Sequence, residues 1–233
     1  MRVDGAGEAT RGDLPSVTRP DGRHATTFVH DYLKDLILDL ALAPGTLLTE
    51  KDVAVATGLS RTPIREAFLR LHEERLLEVQ PRRGALVPRI TARQVRELYE
   101  VRLLLESRAA EVICIERIPI EAQLMPLCDE QERLYEAGAP VPELIRVDRR
   151  FHATFIAAAG NTVMAMVNES LGDHHQRTGV LSFNLDRTRC ATAITQHRAI
   201  VTALAGYDLE AARSEIEQHL VRGERDFERL LRD

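Results

Sequence analysis

The chain has 233 residues, 44% hydrophobic and 29% charged, with a formal net charge of -5, which is enough for two ordinary domains with real cores. Three widely spaced cysteines, Cys114, Cys128 and Cys190, form no CxxC pair, which argues against a disulfide framework or a thiolate zinc site and fits a reducing cytoplasm. No apolar run approaches the roughly 18 residues of a membrane span, the polar first 23 residues lack the apolar segment of a signal peptide, and a chain without tryptophan makes a poor stacking platform for single-stranded nucleic acid.

The acidic total hides an uneven distribution. Residues 1–90 hold 13 Lys+Arg and 13 Asp+Glu, so the whole deficit lies beyond them, and seven arginines against four glutamates fall between Arg61 and Arg89. A local positive patch suits a sequence-specific nucleic-acid binder better than a general coat protein.

Residues 1–23 read as a disordered tail, followed by a head domain over 24–90. Phe28-Val29, Tyr32-Leu33, Leu36-Ile37 and Leu40 recur at helical spacing from Thr26 until Pro44-Gly45 breaks the pattern. Thr49 caps a second helix with apolar positions Val53, Ala54 and Thr57, with Asp52 favourably placed near its N-terminus and Gly58 at its end. A third helix starts near Ser60 to Pro63, where the proline pushes Thr62 toward a capping conformation. Its core face is Ile64, Ala67, Phe68 and Leu71, and its outer face is Arg65, Glu66, Leu69 and Arg70, with Arg61 at the entrance. Leu77 and Val79 alternate with Glu78 and Gln80, and Pro81-Arg82-Arg83-Gly84 turns the chain into Ala85-Leu86-Val87, a two-stranded wing with a basic tip. Helix, glycine turn, arginine-rich helix and wing is the order of a reader of double-stranded DNA; the plainer alternative, an αα-hairpin with solvated arginines, leaves the wing unexplained. Arg61, Thr62 and Arg65 are the leading contacts, because guanidinium forks match guanine O6 and N7.

Residues 48–87, and LSRTPIREAFLRL within them, resemble the winged helix-turn-helix of the GntR family of bacterial transcriptional regulators. The resemblance implies operator contacts from Lys51, Arg61, Thr62, Arg65 and the wing glycine Gly84; Ser60 at the helix entrance and Arg82 and Arg83 at the wing tip complete the candidate DNA-binding set. Two departures stand out: some members carry arginine where Lys51 stands, and Pro81-Arg82-Arg83 replaces a histidine-glycine pair at the tip.

After a short connector, Thr91 and Gln94 form a capping box, and the chain reads as helix at 92–117, 120–137, 142–159, 161–178, 187–205 and 208–231. Short loops and the lack of strand-like alternation predict an all-helical antiparallel bundle over 91–233, so the fold is mainly α. The third bundle helix has a core stripe of Leu144, Phe151, Phe155 and Ala159 that also carries Asp148 and His152. His197 shares a face with Ile194, Val201 and Leu204, and His219 with Ile216, Leu220 and Phe227. Any one of these histidines alone fits a satisfied core residue. Four ionisable groups aimed into one bundle are better satisfied by a bound divalent transition metal, zinc first, with nickel, manganese or iron as alternatives. On the first bundle helix the stripe Val95, Leu98, Tyr99, Leu105 and Ala109 passes through Arg102 and Glu106. Arg102 is the candidate effector-binding residue, holding a small carboxylate, or else it pairs internally with Glu106. His174, His175 and Gln176 read as surface.

The D-x-x-x-H pair, the two later histidines and the run QHRAIVTALAGYDLEAARSEIEQHL resemble the FCD (FadR C-terminal) ligand-binding domain that partners a GntR head. That resemblance implies a metal at the floor of an internal cavity and dimerisation through these domains. The expected protein is a cytoplasmic, nucleoid-associated repressor that binds operator DNA as a homodimer, responds to a small carboxylate effector, and has neither membrane attachment nor catalysis. Its rivals are a direct sensor of the metal ion and a metal-dependent hydrolytic enzyme, the latter lacking a well-placed general base.

Overall fold

The computed structural model describes residues 14–230, without side chains at 222 and 224–230, and divides into two compact units, Met1–Ile90 and Thr91–Asp233. Among the described residues no helix is long and apolar enough to cross a membrane.

The first unit runs α1 (Ala25–Leu38), β1 (Leu47–Leu48), α2 (Glu50–Thr57), α3 (Arg61–Glu73), β2 (Glu78–Gln80) and β3 (Gly84–Leu86). Phe28, Val29, Leu33 and Ile37 of α1 and the expected α3 stripe of Ile64, Ala67, Phe68 and Leu71 are all buried in one core. Thr49 and Asp52 exchange side-chain and backbone hydrogen bonds across the first turn of α2, and Gly58 ends that helix in the left-handed conformation.

Three details differ from expectation. The wing is part of a three-stranded antiparallel sheet of order β1-β3-β2, with Leu47 opposite Leu86 and Val79 opposite Ala85; a two-residue strand is too short to show alternation in sequence. Thr62 does not cap: extended Ser60 holds that position, and Thr62 lies in the first turn of α3. Residues 1–13 of the expected tail lie outside the described residues, whereas Leu14 and Val17 pack on the head core, the Val17 amide donates to the Ala56 carbonyl at 2.9 Å, and the Tyr32 hydroxyl donates to the Pro15 carbonyl at 2.6 Å. Two apolar side chains in a polar stretch are too sparse to give a periodic signal.

The second unit is a bundle of α4 (Ala92–Glu116), α5 (Glu121–Glu136), α6 (Val141–Ala158), α7 (Thr162–Leu185), α8 (Thr188–Ala205) and α9 (Leu209–Leu230). The Thr91–Gln94 capping box opens α4 with both of its bonds formed. Helix α4 packs on α9, α6 on α7, and α5 on α6 and α8, around Ile113, Leu124, Phe151, Phe155, Leu204 and Ile216. Expected to stop near 178, α7 continues to Leu185 through Gly172 and Gly179. A Cβ at 179 would stand 2.8 Å from Ile145 Cδ1, so this glycine serves the close approach of α6 and α7 rather than a break.

Candidate metal centre and DNA-binding face

In the head, Lys51 from α2, Arg61 and Arg65 from α3, and Arg82, Arg83 and Gly84 from the wing line one concavity of about 510 Å³. The lysine and the four arginines are exposed. Ser60 and Thr62 are exposed at the start of α3 without lining that concavity. Gly84 has φ +120°, and a Cβ there would stand 2.1 Å from the Leu48 carbonyl oxygen, so the β1–β3 pairing itself requires glycine. Sequence reading missed Glu50, whose Oε1 accepts from Arg65 Nε at 2.6 Å. That bond, and the charge behind it, raises the Arg65 pKa above its ordinary value. The two residues stand on different helices, beyond any local periodicity.

In the bundle, His152 on α6, His197 on α8 and His219 on α9 bring three ring nitrogens within 4.8 Å of one another. Asp148, one turn before His152, places Oδ1 3.5 Å from His197 Nε2 and Oδ2 3.8 Å from His152 Nε2. The other side of each ring is held: His152 Nδ1 lies 3.0 Å from Glu106 Oε2, His197 Nδ1 3.1 Å from Gln131 Oε1, and His219 Nδ1 3.0 Å from Gln196 Oε1. These oxygens only accept, so each Nδ1 carries the hydrogen and each Nε2 keeps its lone pair. The Gln131 amide is itself oriented, its nitrogen donating to the Leu144 carbonyl at 3.3 Å. His152 Nε2 and His197 Nε2 are buried with no hydrogen-bond partner among the described residues.

Burial depresses the pKa of all three histidines and outweighs the opposing charge of Asp148, so the rings are neutral at neutral pH, the form that ligates a cation. Burial opposes ionisation of Asp148, but the His175 hydrogen bond and the adjacent imidazoles outweigh it and hold the carboxyl well below its usual range. Three nitrogens and one carboxylate oxygen suit zinc or another transition ion. With tetrahedral bonds of about 2.1 Å, ligand atoms stand roughly 3.4 Å apart, so the triad, now within 4.8 Å, needs to close by at most about 1.4 Å.

Arg102 is 3% exposed. Its Nε donates to Glu106 Oε1 at 3.0 Å, its Nη1 lies 3.2 Å from His175 Nε2, and its carbon sits 5.4 Å from the Tyr99 ring centre. The internal pair with Glu106 is therefore formed, while Nη2 is buried without a partner among the described residues. A cavity of about 300 Å³ is lined by Arg102, Asp148, His175, Arg189 and His219, and His219 owes its partial exposure to facing it.

His175 and Gln176 are not surface residues. His175 Nε2 lies 2.9 Å from Asp148 Oδ2, and Gln176 is 1% exposed, because α7 packs on α6; His174 is half-buried. Of the residues missed, Gln131 had a readable signal, since it continues the Leu124, Leu127, Cys128 stripe of α5. Phe227, expected beside His219, lies outside the described side chains.

Comparison with known proteins agrees with both halves. Residues 25–87 match the gntR family of bacterial regulatory proteins, and residues 97–222 match the FCD domain. The HTH-type transcriptional regulator YdhC of Bacillus subtilis (strain 168) is 28% identical over 191 residues, covering 82% of this chain and 85% of its own. The HTH-type transcriptional repressor RspR of Escherichia coli (strain K12) is 30% identical over 198 residues, 82% and 84% of the two chains. A crystal structure of a protein from Rhodococcus sp. RHA1, described as a GntR transcriptional regulator, superposes with a TM-score of 0.74 at 24% identity, covering 87% of this chain and 96% of that one. A winged head followed by a helical bundle defines a DNA-binding transcription regulator, and the relatives are regulators, not enzymes. The chain belongs to the GntR family, in the branch whose head is followed by an FCD domain.

Proposed function

We propose that the protein is a cytoplasmic, metal-containing repressor that binds a pseudo-palindromic operator as a homodimer and is modulated by a small carboxylate. Asp148, His152, His197 and His219 hold the ion, zinc first. Arg102 Nη2 and the open positions on the ion receive the acid. Lys51, Ser60, Arg61, Thr62, Arg65, Arg82, Arg83 and Gly84 form the operator face. The observation that carries this reading is the arrangement of three imidazoles, each fixed through Nδ1 by a side-chain oxygen, with two buried Nε2 lone pairs left unpartnered. A cation satisfies them together, at less cost than leaving buried acceptors bare.

One head makes too few base contacts for a useful specificity ratio, and two-fold pairing doubles them. Exposed apolar Leu104 on α4 and Val163 and Met166 on α7 offer bundle surface to a second copy. An acid that binds one arrangement of the pair more tightly than another shifts operator affinity.

The test combines metal analysis of the purified protein with fluorescence anisotropy on an operator selected from random DNA, with metal and candidate acids varied separately. Stoichiometric metal in the wild type, its loss in His197→Ala, and an acid-dependent change in operator affinity are expected. Operator release that follows metal concentration with no acid present makes the ion itself the signal. Protein that takes up no transition metal under any loading condition sinks the cavity reading.

A further inference from the structure

A second concavity, of about 310 Å³, lies on the side of α6 and α7 that carries Arg146, Arg149 and Arg150. It reaches inward to Arg102 and His175, which also line the inner cavity. Among its lining residues Glu169 is the single carboxylate against four guanidinium groups. Arg150 donates to both Glu130 oxygens at 3.1 Å, and Arg102 to Glu106.

Two further features point to an anionic occupant. Arg102 lines both concavities, and its Nη2 is a buried donor with no partner among the described residues, an expensive state for a charged group that an acceptor arriving from either side relieves. A Cβ at 172 would stand 2.1 Å from Arg149 Nη2, so glycine lets the Arg149 guanidinium lie against α7, in the groove, instead of reaching away from it. Like charges gathered around one concavity raise its affinity for anions, and guanidinium forks match carboxylate and phosphate oxygens.

We propose that this arginine-lined groove is a second anion site, for a molecule bearing a carboxylate or phosphate group, coupled to the inner cavity through Arg102 and His175. His175 Nε2 lies 3.2 Å from Arg102 Nη1 and 2.9 Å from Asp148 Oδ2, and it can serve the donor or the acceptor but not both. An anion that draws Arg102 outward loosens its bond to Glu106, which holds His152 Nδ1, and frees His175 for Asp148. Groove occupancy thus changes how two metal-site candidates are held, and metal binding changes groove affinity by the same factor. The coupling rests on the metal reading proposed above; binding in the groove does not.

Calorimetry on the full chain tests this with inorganic phosphate and succinate as separate probes, which distinguishes the two anion chemistries. With metal removed from all three proteins, at least one probe is expected to bind the wild type, about tenfold or more weaker in Arg149→Gln, and within about twofold of wild type in His197→Ala. The difference between wild type and Arg149→Gln removes any contribution from the operator face. Should Arg149→Gln fold poorly, Gly172→Ala keeps the charge but displaces the guanidinium, and the same loss is expected. Unchanged probe affinity in both variants, or no binding of either probe to the wild type, overturns the site. Probe binding that leaves zinc affinity unchanged in the wild type overturns the coupling. A wild type that takes up no zinc while the phosphate result holds refutes the metal reading alone.

Discussion

Each unit contains an arginine–glutamate pair, and the two pairs live in opposite surroundings. In the head, Arg65 and Glu50 meet at 2.6 Å with the arginine side chain 64% exposed. In the bundle, Arg102 and Glu106 meet at 3.0 Å with side-chain exposures of 3% and 0%. The exposed pair is screened by water and costs little to exchange for a phosphate or a base edge. The buried pair has lost its hydration, so it persists only through a network in which Glu106 also holds His152 and Arg102 also meets Tyr99 and His175. One unit leaves its pair open to exchange with solvent ions, and the other locks its pair inside a network.

The largest effect should come from breaking the buried pair. Glu106→Ala strands Arg102 and releases His152, and a loss of about 3 to 5 kcal/mol in chemical denaturation of the bundle is expected. A loss below 1 kcal/mol would show that water enters freely and that the contrast is overdrawn. Next, Gln131→Ala removes the oxygen behind His197; zinc affinity should fall about 10- to 100-fold in competition with a chelator. Arg65→Ala should weaken operator binding about 5- to 150-fold and relax preference at one base pair, whereas removal of a phosphate-binding cation should weaken all sequences and flatten the salt slope. Operator binding unaffected by Arg65→Ala would remove the reason given for the exposed pair.

Acid sharpens the same contrast. His152, His175, His197 and His219 have depressed pKa values in the folded bundle, burial being the largest cause. As pH falls below the unfolded value of about 6.5, the unfolded chain takes up protons that the folded bundle resists, so its stability is full above that value and declines on acidification. Each such group adds a slope that rises toward about 1.4 kcal/mol per pH unit below that value. Melting followed between pH 7.5 and 5.5 in metal-free protein should show it, and a flat profile would contradict the depressed values. The smallest effect belongs to Glu50→Gln, which should move the melting temperature by no more than about 3 °C.

How much of this was legible varies with the range of the interaction. The α3 stripe, the Thr49 cap, the Thr91–Gln94 capping box and the Asp148–His152 pair are set by contacts within one or two turns, and each was readable from spacing. The approach of His197 and His219 followed from their sharing faces with apolar residues, because a bundle has only one interior. The contacts that escaped join distant segments: β1 with β3, Glu50 with Arg65, and Gln196 with His219. The end of α7 was misplaced just before Gly179 because glycine in a helix ordinarily signals weakness, whereas here the missing side chain admits Ile145, as that of Gly172 admits Arg149.

The three imidazoles stand on α6, α8 and α9, and the oxygens behind them on α4, α5 and α8. An ion seated there would rivet together segments separated by more than a hundred residues of chain, and its departure would loosen five helices at once. Starvation for that ion would then shorten the lifetime of the regulator against cellular proteases, so metal supply would set how many copies survive as well as how each behaves.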